Sequence, residues 1–417
     1  MKIGKGMILL FLSFVFTKAT PLFAQDANPP LLPALVETAI QNNPELTAMR
    51  LSRAAAKERI KQSLFLDDTE LVLAQLDIPS DGNLGRAHGT QIGIEQRLPY
   101  FGKRTLKQNI ATKEAEMADS EYQEKVAEII AAVKSAYYQR AFLSQTISLH
   151  REHQTLLSEL LLIVKRRYAI SQSSQQELLK AEIEQAKLHN ETFSLEQEMH
   201  SATAALYTLL NDRENHGLLK IEPVPFQRFL QAIETLKEIT RSLSPRLKKA
   251  KRLVEKNQQI SLLVRKESKP DFMLGLYYEN RHTEEDHWMA MGKMTLPWLR
   301  AKKYQSKNTV AQLDAEAANA NYHVIENETL LEISTLFNEI KAAENQILNN
   351  KNELIPLALQ ALESARIGYQ TGKNDFLNWI DSERTLLDLQ MEQAMQQMLF
   401  QQKIATLEQI IGKEISQ

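Results

Sequence analysis

The chain has 417 residues, 50 Lys and Arg against 52 Asp and Glu, a formal net charge of −2, and no cysteine. The two signs are interleaved, so no basic stripe marks a nucleic-acid partner. The lack of cysteine excludes disulfides, thiolate metal sites, a cysteine nucleophile and a lipid-modified N-terminal cysteine. Glycine and proline number 13 each and aromatics make up 7%, the profile of long helices and coiled coils and not of compact globules.

Residues 1–24 read as a secretory signal peptide. Lys2 and Lys5 form the positive end, Met7 to Phe16 the apolar run, and cleavage is expected near Ala24. A run of about ten residues is too short for a spanning helix, which needs roughly 20. No later stretch approaches that length. Residues 25–33 form an extended lead-in, and a helix is expected from Ala34 to about Phe65, broken near Asn43-Pro44 because proline disfavours helix in the residue before it.

Two amphipathic strands follow, at about 69–78 and 88–98. Leu71-Val72-Leu73-Ala74 runs out, and Ile92 and Ile94 alternate with Gln91, Gly93 and Glu95 on the return. Their length of about nine to eleven residues would cross a bilayer as tilted strands, or make a soluble hairpin. A helical hairpin is predicted over about 103–210. From Val126 its positions keep a heptad-like spacing of three and four through Ile129, Val133, Ala136, Arg140, Leu143, Ile147, His150, Gln154, Leu157, Leu161, Val164 and Tyr168. Sustained over about six heptads, that period signals a coiled coil. The chain turns at 169–174 and returns through Leu179, Ile183, Ala186 and Phe193.

A polar linker at 211–225 separates this unit, 25–210, from a second at 226–417 that repeats the same programme. Its first helix is expected from about Phe226 to Glu267 with a break at Pro245. Strands are expected at about 270–280 and 287–297, with a helical hairpin over about 301–411. The hairpin turns at 370–374 and returns through Leu377, Ile380, Leu387, Met391, Ala394 and Met398. Gly372 stands where a left-handed helix-ending residue is needed. Asn43-Pro44-Glu45-Leu46 answers Ser244-Pro245-Arg246-Leu247, and Leu98-Pro99 answers Leu296-Pro297, about 200 residues apart, so a large unit is duplicated. Four strands cannot close a barrel, and the chain is built to be completed by copies of itself.

No enzyme is indicated. His150, His153 and His189 stand singly on helices without a nucleophile, and no phosphate-cradling glycine loop occurs. His282 and His287 flank Glu284, Glu285 and Asp286, which reads as a weak metal cluster or, more simply, a solvated loop. Met391, Met395 and Met398 are thioethers at helical spacing, which favours seam packing over metal ligation.

The motifs in their order resemble the TolC-type outer-membrane efflux channels. They are Ala39-Ile40-Gln41-Asn42-Asn43-Pro44-Glu45-Leu46, Leu98-Pro99-Tyr100-Phe101-Gly102-Lys103-Arg104, Arg167-Tyr168 with Gln175 to Ala181, and Tyr369-Gln370-Thr371-Gly372 with Ile380 to Leu387. The first half is most similar to the heavy-metal branch, the CzcC and CusC type. The resemblance implies a mainly α fold with a β-barrel part. It implies a homotrimer closing a twelve-stranded barrel in outer-membrane lipid of a Gram-negative bacterium, above a periplasmic α-helical tunnel. It implies a passive conduit for heavy-metal cations, without cofactors, coupled through a periplasmic adaptor to an inner-membrane transporter of the resistance-nodulation-division class. A drug or type I protein secretion channel, or a soluble periplasmic scaffold, is the alternative. Carried over by position, the gate residues are Asp381, with Asn378 preceding it in the ring, and Glu177, Tyr369 and Arg167 as a latch. The adaptor-docking tips hold Tyr168, Ser171 and Gly372. Ser171 departs from the family's glycine, and the second half lacks Phe-Gly after Leu296-Pro297.

Overall fold

The computed structural model describes residues 32–415 except 79, 81, 83–86, 88, 212–220, 222–224 and 282–284. The expected signal peptide, most of the linker and parts of both hairpin loops, with His282 and Glu284, lie outside the described residues.

The first half opens with α1 (Leu32–Asn42) and α2 (Pro44–Gln62), where one broken helix to Phe65 is expected. Asn43 divides them: its Oδ1 accepts from Glu45 N at 2.8 Å and Leu46 N at 3.3 Å, and Pro44 takes the first helical position. That is an N-cap followed by proline, a combination that starts a helix cleanly. The second half repeats it with α5 (Ile233–Leu243) and α6 (Pro245–Glu267), although Ser244 makes no side-chain cap bond. The helix expected from Phe226 begins only at Ile233. The preceding stretch stays non-helical because Phe229 is drawn fully into a core with Ile333, Ile340 and Phe400, and Lys341 Nζ holds its carbonyl at 2.5 Å. Tertiary burial there overrides helix propensity.

Strands β1 (Glu70–Leu76), β2 (Gly89–Leu98), β3 (Phe272–Arg281) and β4 (His287–Met294) form one antiparallel sheet in that order. Leu73 pairs with Ile92, Ile92 with Tyr278, and Tyr278 with Trp288, so the two halves share one register. One face carries Leu71, Leu73, Ile92, Ile94, Leu274, Leu276 and Trp288, all exposed. The other carries polar groups joined across strands. Tyr277 Oη and Lys293 Nζ both donate to Glu95, and Gln91 Nε2 donates to Glu279 at 2.8 Å. Apolar outside and polar inside is the pattern of a membrane barrel wall. Glycine shapes the polar face: a Cβ on Gly93 would lie 2.2 Å from the Tyr277 ring, so the tyrosine lies flat only over glycine.

The long helices follow each strand pair. α3 (Lys103–Ala169) has 67 residues and α4 (Gln175–Leu210) returns along it. In the second half α7 (Ala301–Asn349), a π-turn at Asn350–Leu354 and α8 (Ile355–Gln370) run consecutively before α9 (Phe376–Ile411) returns. The π-turn interrupts what the sequence reads as one helix. On α3 the spacing of three and four places Ile129, Val133, Leu143, Ile147, Leu157 and Val164 in the core, while Tyr168 at its end is exposed. Lys134 reaches from α3 to Glu408 on α9 and to Glu414, both at 2.7 Å.

The return strips divide unequally. Ile380, Leu387 and Ala394 of α9 are buried, whereas Leu377 is exposed. On α4 the expected strip is wrong: Leu179, Ile183, Ala186 and Phe193 are exposed, and Ala181, Leu188 and Thr192 pack inward instead. Both strips have helical spacing, and the single chain has enough neighbouring helix to cover only one of them.

The two hairpin ends differ in chemistry but not in backbone. Ser171 has φ 56° and Gly372 φ 74°, so a serine occupies the left-handed position that glycine fills in the other half. Gln172 N donates to Arg167 O at 2.8 Å, and Lys373 N to Gly368 O at 2.8 Å, closing both helices alike. A left-handed residue with a Cβ costs about 1–2 kcal/mol, partly offset by glycine's greater unfolded entropy. Ser171→Gly is therefore expected to stabilise the tip by about 0.5–1 kcal/mol. Hydrogen exchange at the Gln172 amide reads this directly; unchanged or faster exchange refutes the strain.

Candidate functional site

The ends of α3 and α8 meet the beginnings of α4 and α9 around one buried ring. Tyr369 is 3% exposed and packs edge-on to Phe376 at 6.0 Å and against Trp379 at 5.4 Å between centroids. Leu161, Val164 and Ala181 complete this core. The Arg167 guanidinium stacks over the Tyr369 ring at 4.7 Å and donates from Nη1 to its carbonyl at 2.5 Å. Tyr369 Oη donates to Glu177 Oε2 at 3.0 Å. Glu177 is held from its own side too, accepting from Ser173 Oγ at 2.7 Å, while Ser174 Oγ caps Glu177 N at 3.2 Å. Serine three residues before glutamate at a helix start is a capping box. Arg167, Tyr369 and Glu177 are thus brought together and bind the first hairpin to the second. Burial pushes the Tyr369 phenol up, and the Glu177 carboxylate adds to the rise, so it stays a neutral donor.

Asn378 and Asp381 lie elsewhere. Both are exposed, one turn apart on α9, on the face away from Trp379 and Ile380. With Asn374, Ser364 and Thr385 they line a shallow cleft of about 480 Å³ beside α8. Tyr168 is exposed beside the first turn, and Ser171 and Gly372 sit at the two turns themselves.

Further side chains tie the helices at and above the tip. Arg384 on α9 engages both oxygens of Glu184 on α4 in a bidentate pair, and Lys187 adds a third contact at 3.2 Å. Burial alone would raise the Glu184 carboxyl, but Arg384 and Lys187 hold it below its ordinary value. Gly368 admits Asn374 so closely that a Cβ there would meet the Asn374 amide at 2.4 Å. Further up, His153 on α3 is 1% exposed, with Nδ1 2.6 Å from Glu383 Oε1 and Nε2 2.8 Å from Gln390 Oε1, both on α9. Two oxygens facing two ring nitrogens call for an imidazolium. His150, one turn before it, has Nε2 3.3 Å from Met391 Sδ and is kept neutral by burial. Met391 and Met398 pack against the seam cores, and Met395 is partly exposed. The sequence spacing puts His150 in the seam but leaves out His153, whose partners are 230 residues and more away.

Among the described residues no group of three or more His, Asp or Glu is poised to hold a metal ion. Among them, too, no helix is long and apolar enough to cross a membrane.

Residues 77–212 match the family model described as outer membrane efflux protein. The chain is 23% identical to the cobalt-zinc-cadmium resistance protein CzcC of Cupriavidus metallidurans, over 98% of each chain. These likenesses support a TolC-type outer-membrane efflux channel. The fold is that of solved channels of the same kind. Vibrio cholerae VceC superposes with a TM-score of 0.79 at 17% identity, covering 92% of this chain and 97% of that one. CusC does so with 0.78 at 14% identity, covering 92% of each. The open-state Neisseria gonorrhoeae MtrE channel gives 0.75 at 16% identity, covering 92% and 89%. The chain is therefore an efflux channel component, a transport conduit and not an enzyme. A soluble scaffold and an exported hydrolase are not favoured.

The His153 pair sets a pH dependence for this channel's seam. Burial disfavours the imidazolium, but hydrogen bonds to Glu383 and Gln390 outweigh it and raise the group above its ordinary value, with Glu152 adding to the rise and neutral His150 adding no charge. A raised folded value means that the stabilisation is complete below the unfolded imidazole's value and is lost as pH rises through the folded one. Urea resistance of the wild type is expected to fall as pH rises past neutrality, and that of His153→Gln to change less over the same window. Parallel profiles would exclude the pair as the cause.

Proposed function

We propose that this chain forms a homotrimeric outer-membrane channel that passes heavy-metal cations from the periplasm to the exterior. In this reading it is exported by a cleaved signal peptide and supplied by a periplasmic adaptor and an inner-membrane transporter of the resistance-nodulation-division class. The observation that carries the assembly is the open sheet. β1 and β4 each pair on one side only, and the apolar face beside them is exposed. In hydrocarbon every backbone donor and acceptor needs a partner, so such a sheet is stable only when closed. Three copies give twelve strands, an even number of the size that single outer-membrane barrels use. The bare strips Leu179, Ile183 and Phe193 on α4 and Val310, Leu313 and Val324 on α7 then become contacts between copies. The metal cargo rests on full-length similarity to a protein named for cobalt, zinc and cadmium resistance.

The tip supplies the gate. Arg167, Tyr369 and Glu177 latch the two hairpins in the resting state. Three Asp381 carboxylates around the axis, with Asn378 in the adjoining ring, raise the local negative potential and favour cations. Tyr168, Ser171 and Gly372, at the exposed turns, are the adaptor-docking surface.

Two experiments test this. Deleting the coding region should sensitise cells to cobalt, zinc, cadmium, copper or silver, with restoration from a plasmid. Sensitivity to dyes and antibiotics instead would replace metal cargo by a drug channel. In the reconstituted protein, Tyr369→Phe keeps the ring and the arginine stack and removes only the hydroxyl, with its bond to Glu177 and its contact with Ser173, each bond worth about 0.5–1.5 kcal/mol. It is expected to raise the conductance of the resting channel several-fold, and unchanged conductance would remove the latch.

A further inference from the structure

All four helix-to-strand junctions lie at one end of the sheet, where the antiparallel register begins β1 and β3 and ends β2 and β4. They form one continuous rim. Lys103 Nζ of α3 donates to Lys269 O at 3.1 Å and to Asp271 at 2.8 Å, Lys266 Nζ reaches Phe101 O at 3.3 Å, and Arg104 Nη2 donates to Leu64 O. This rim carries large apolar side chains that nothing in the chain covers: Phe101 is 85% exposed, Phe65 75%, Leu299 73% and Trp298 53%. They continue the apolar outer face of the strands where it meets water. That is the depth at which amphipathic aromatic rings anchor a membrane protein.

The same rim is rich in cations. Arg104 and Lys107 stand at the start of α3, and Arg300, Lys302 and Lys303 at the start of α7, all exposed. Neither helix has an acidic residue in its first turn. The nearby carboxylates are largely committed, Asp271 to Lys103 and to Tyr100 N, and Glu267 to Lys307 at 2.8 Å. Asp67 and Asp68 in the link to β1 offset only part of the charge. The cations recur in both halves of the duplicated chain, so a closed trimer would carry them all round its circumference.

We infer that this rim is a docking belt for anionic phospholipid headgroups of the leaflet facing the periplasm. The inference rests on the outer-membrane reading above. Exposed rings enter the acyl boundary, and the cations one turn along the helices meet the phosphates above it. Each Lys or Arg near a charged membrane surface contributes about 1 kcal/mol, about a fivefold preference. The attraction falls off within a Debye length. Of the possible occupants a leaflet fits best, because the cations adjoin an apolar band already facing lipid.

The test is reconstitution of the full chain into vesicles of phosphatidylcholine alone or mixed equally with phosphatidylglycerol. Lipid carried through detergent extraction is then measured by mass spectrometry. Wild-type protein should retain phosphatidylglycerol about fivefold or more over phosphatidylcholine, and high salt should abolish the preference without any substitution. The variant Arg300→Glu/Lys302→Glu/Lys303→Glu should lose it while remaining inserted. Equal retention of both lipids by the wild type, or a preference indifferent to both salt and charge reversal, overturns the belt but leaves the channel standing. Failure to insert into either vesicle overturns the channel reading itself. If soluble glycerophosphate competes away the preference at the concentration of the headgroups, the rim is a phosphate site and not a membrane belt.

Discussion

Backbone polarity inside hydrocarbon is the constraint on which this molecule turns. A sheet of four strands has two bare edges, and no side chain can satisfy the donors and acceptors along β1 and β4. The duplicated chain brings its two strand pairs together through β2 and β3, halving the number of edges but not removing them. In the proposed assembly what remains is met by other copies, and the helices inherit that geometry. Each strand pair launches a long helix from the same rim, so the number of strands at the barrel sets the number of helices in the tunnel.

The coiled hairpins answer a second constraint. Ala181, Leu188 and Thr192 of α4 are buried within the chain, while Leu179, Ile183 and Phe193 are left bare. One helix cannot bury two apolar faces against a single partner. Buried polar pairs add specificity between helices that would otherwise slide. Lys134 with Glu408, and His153 with Glu383 and Gln390, join α3 to α9 at two heights. A charge that is paired in one register is stranded in another, so such pairs penalise slippage more than they add net stability.

At the tip the same logic becomes local. The Tyr369 ring is held by packing from Phe376 and Trp379 and by the stacked Arg167, and its hydroxyl is the one group that reaches across to Glu177. Bidentate Arg384 and Glu184, about two turns further along α4 than Glu177, brace α9 against α4. The Tyr369–Glu177 bond is therefore small relative to the core beneath it, as the proposed latch requires if it is to release without unfolding its support.

Periodicity and punctuation in the sequence determined the kind of molecule. Alternation at two residues marks the strands, spacing of three and four marks the long helices, and Asn43-Pro44 and Gly372 mark where helices start and stop, because these signals arise from local sterics and hydrogen bonding. The family motifs brought Arg167, Glu177 and Tyr369 forward by position. Only the tertiary structure decided which of two apolar strips on α4 is buried, that Phe229 holds its segment out of helix, that a π-turn divides α7 from α8, and that His153 is wedged between Glu383 and Gln390. Those outcomes depend on partners as much as 237 residues distant, and helical spacing specifies a face without naming what the face meets.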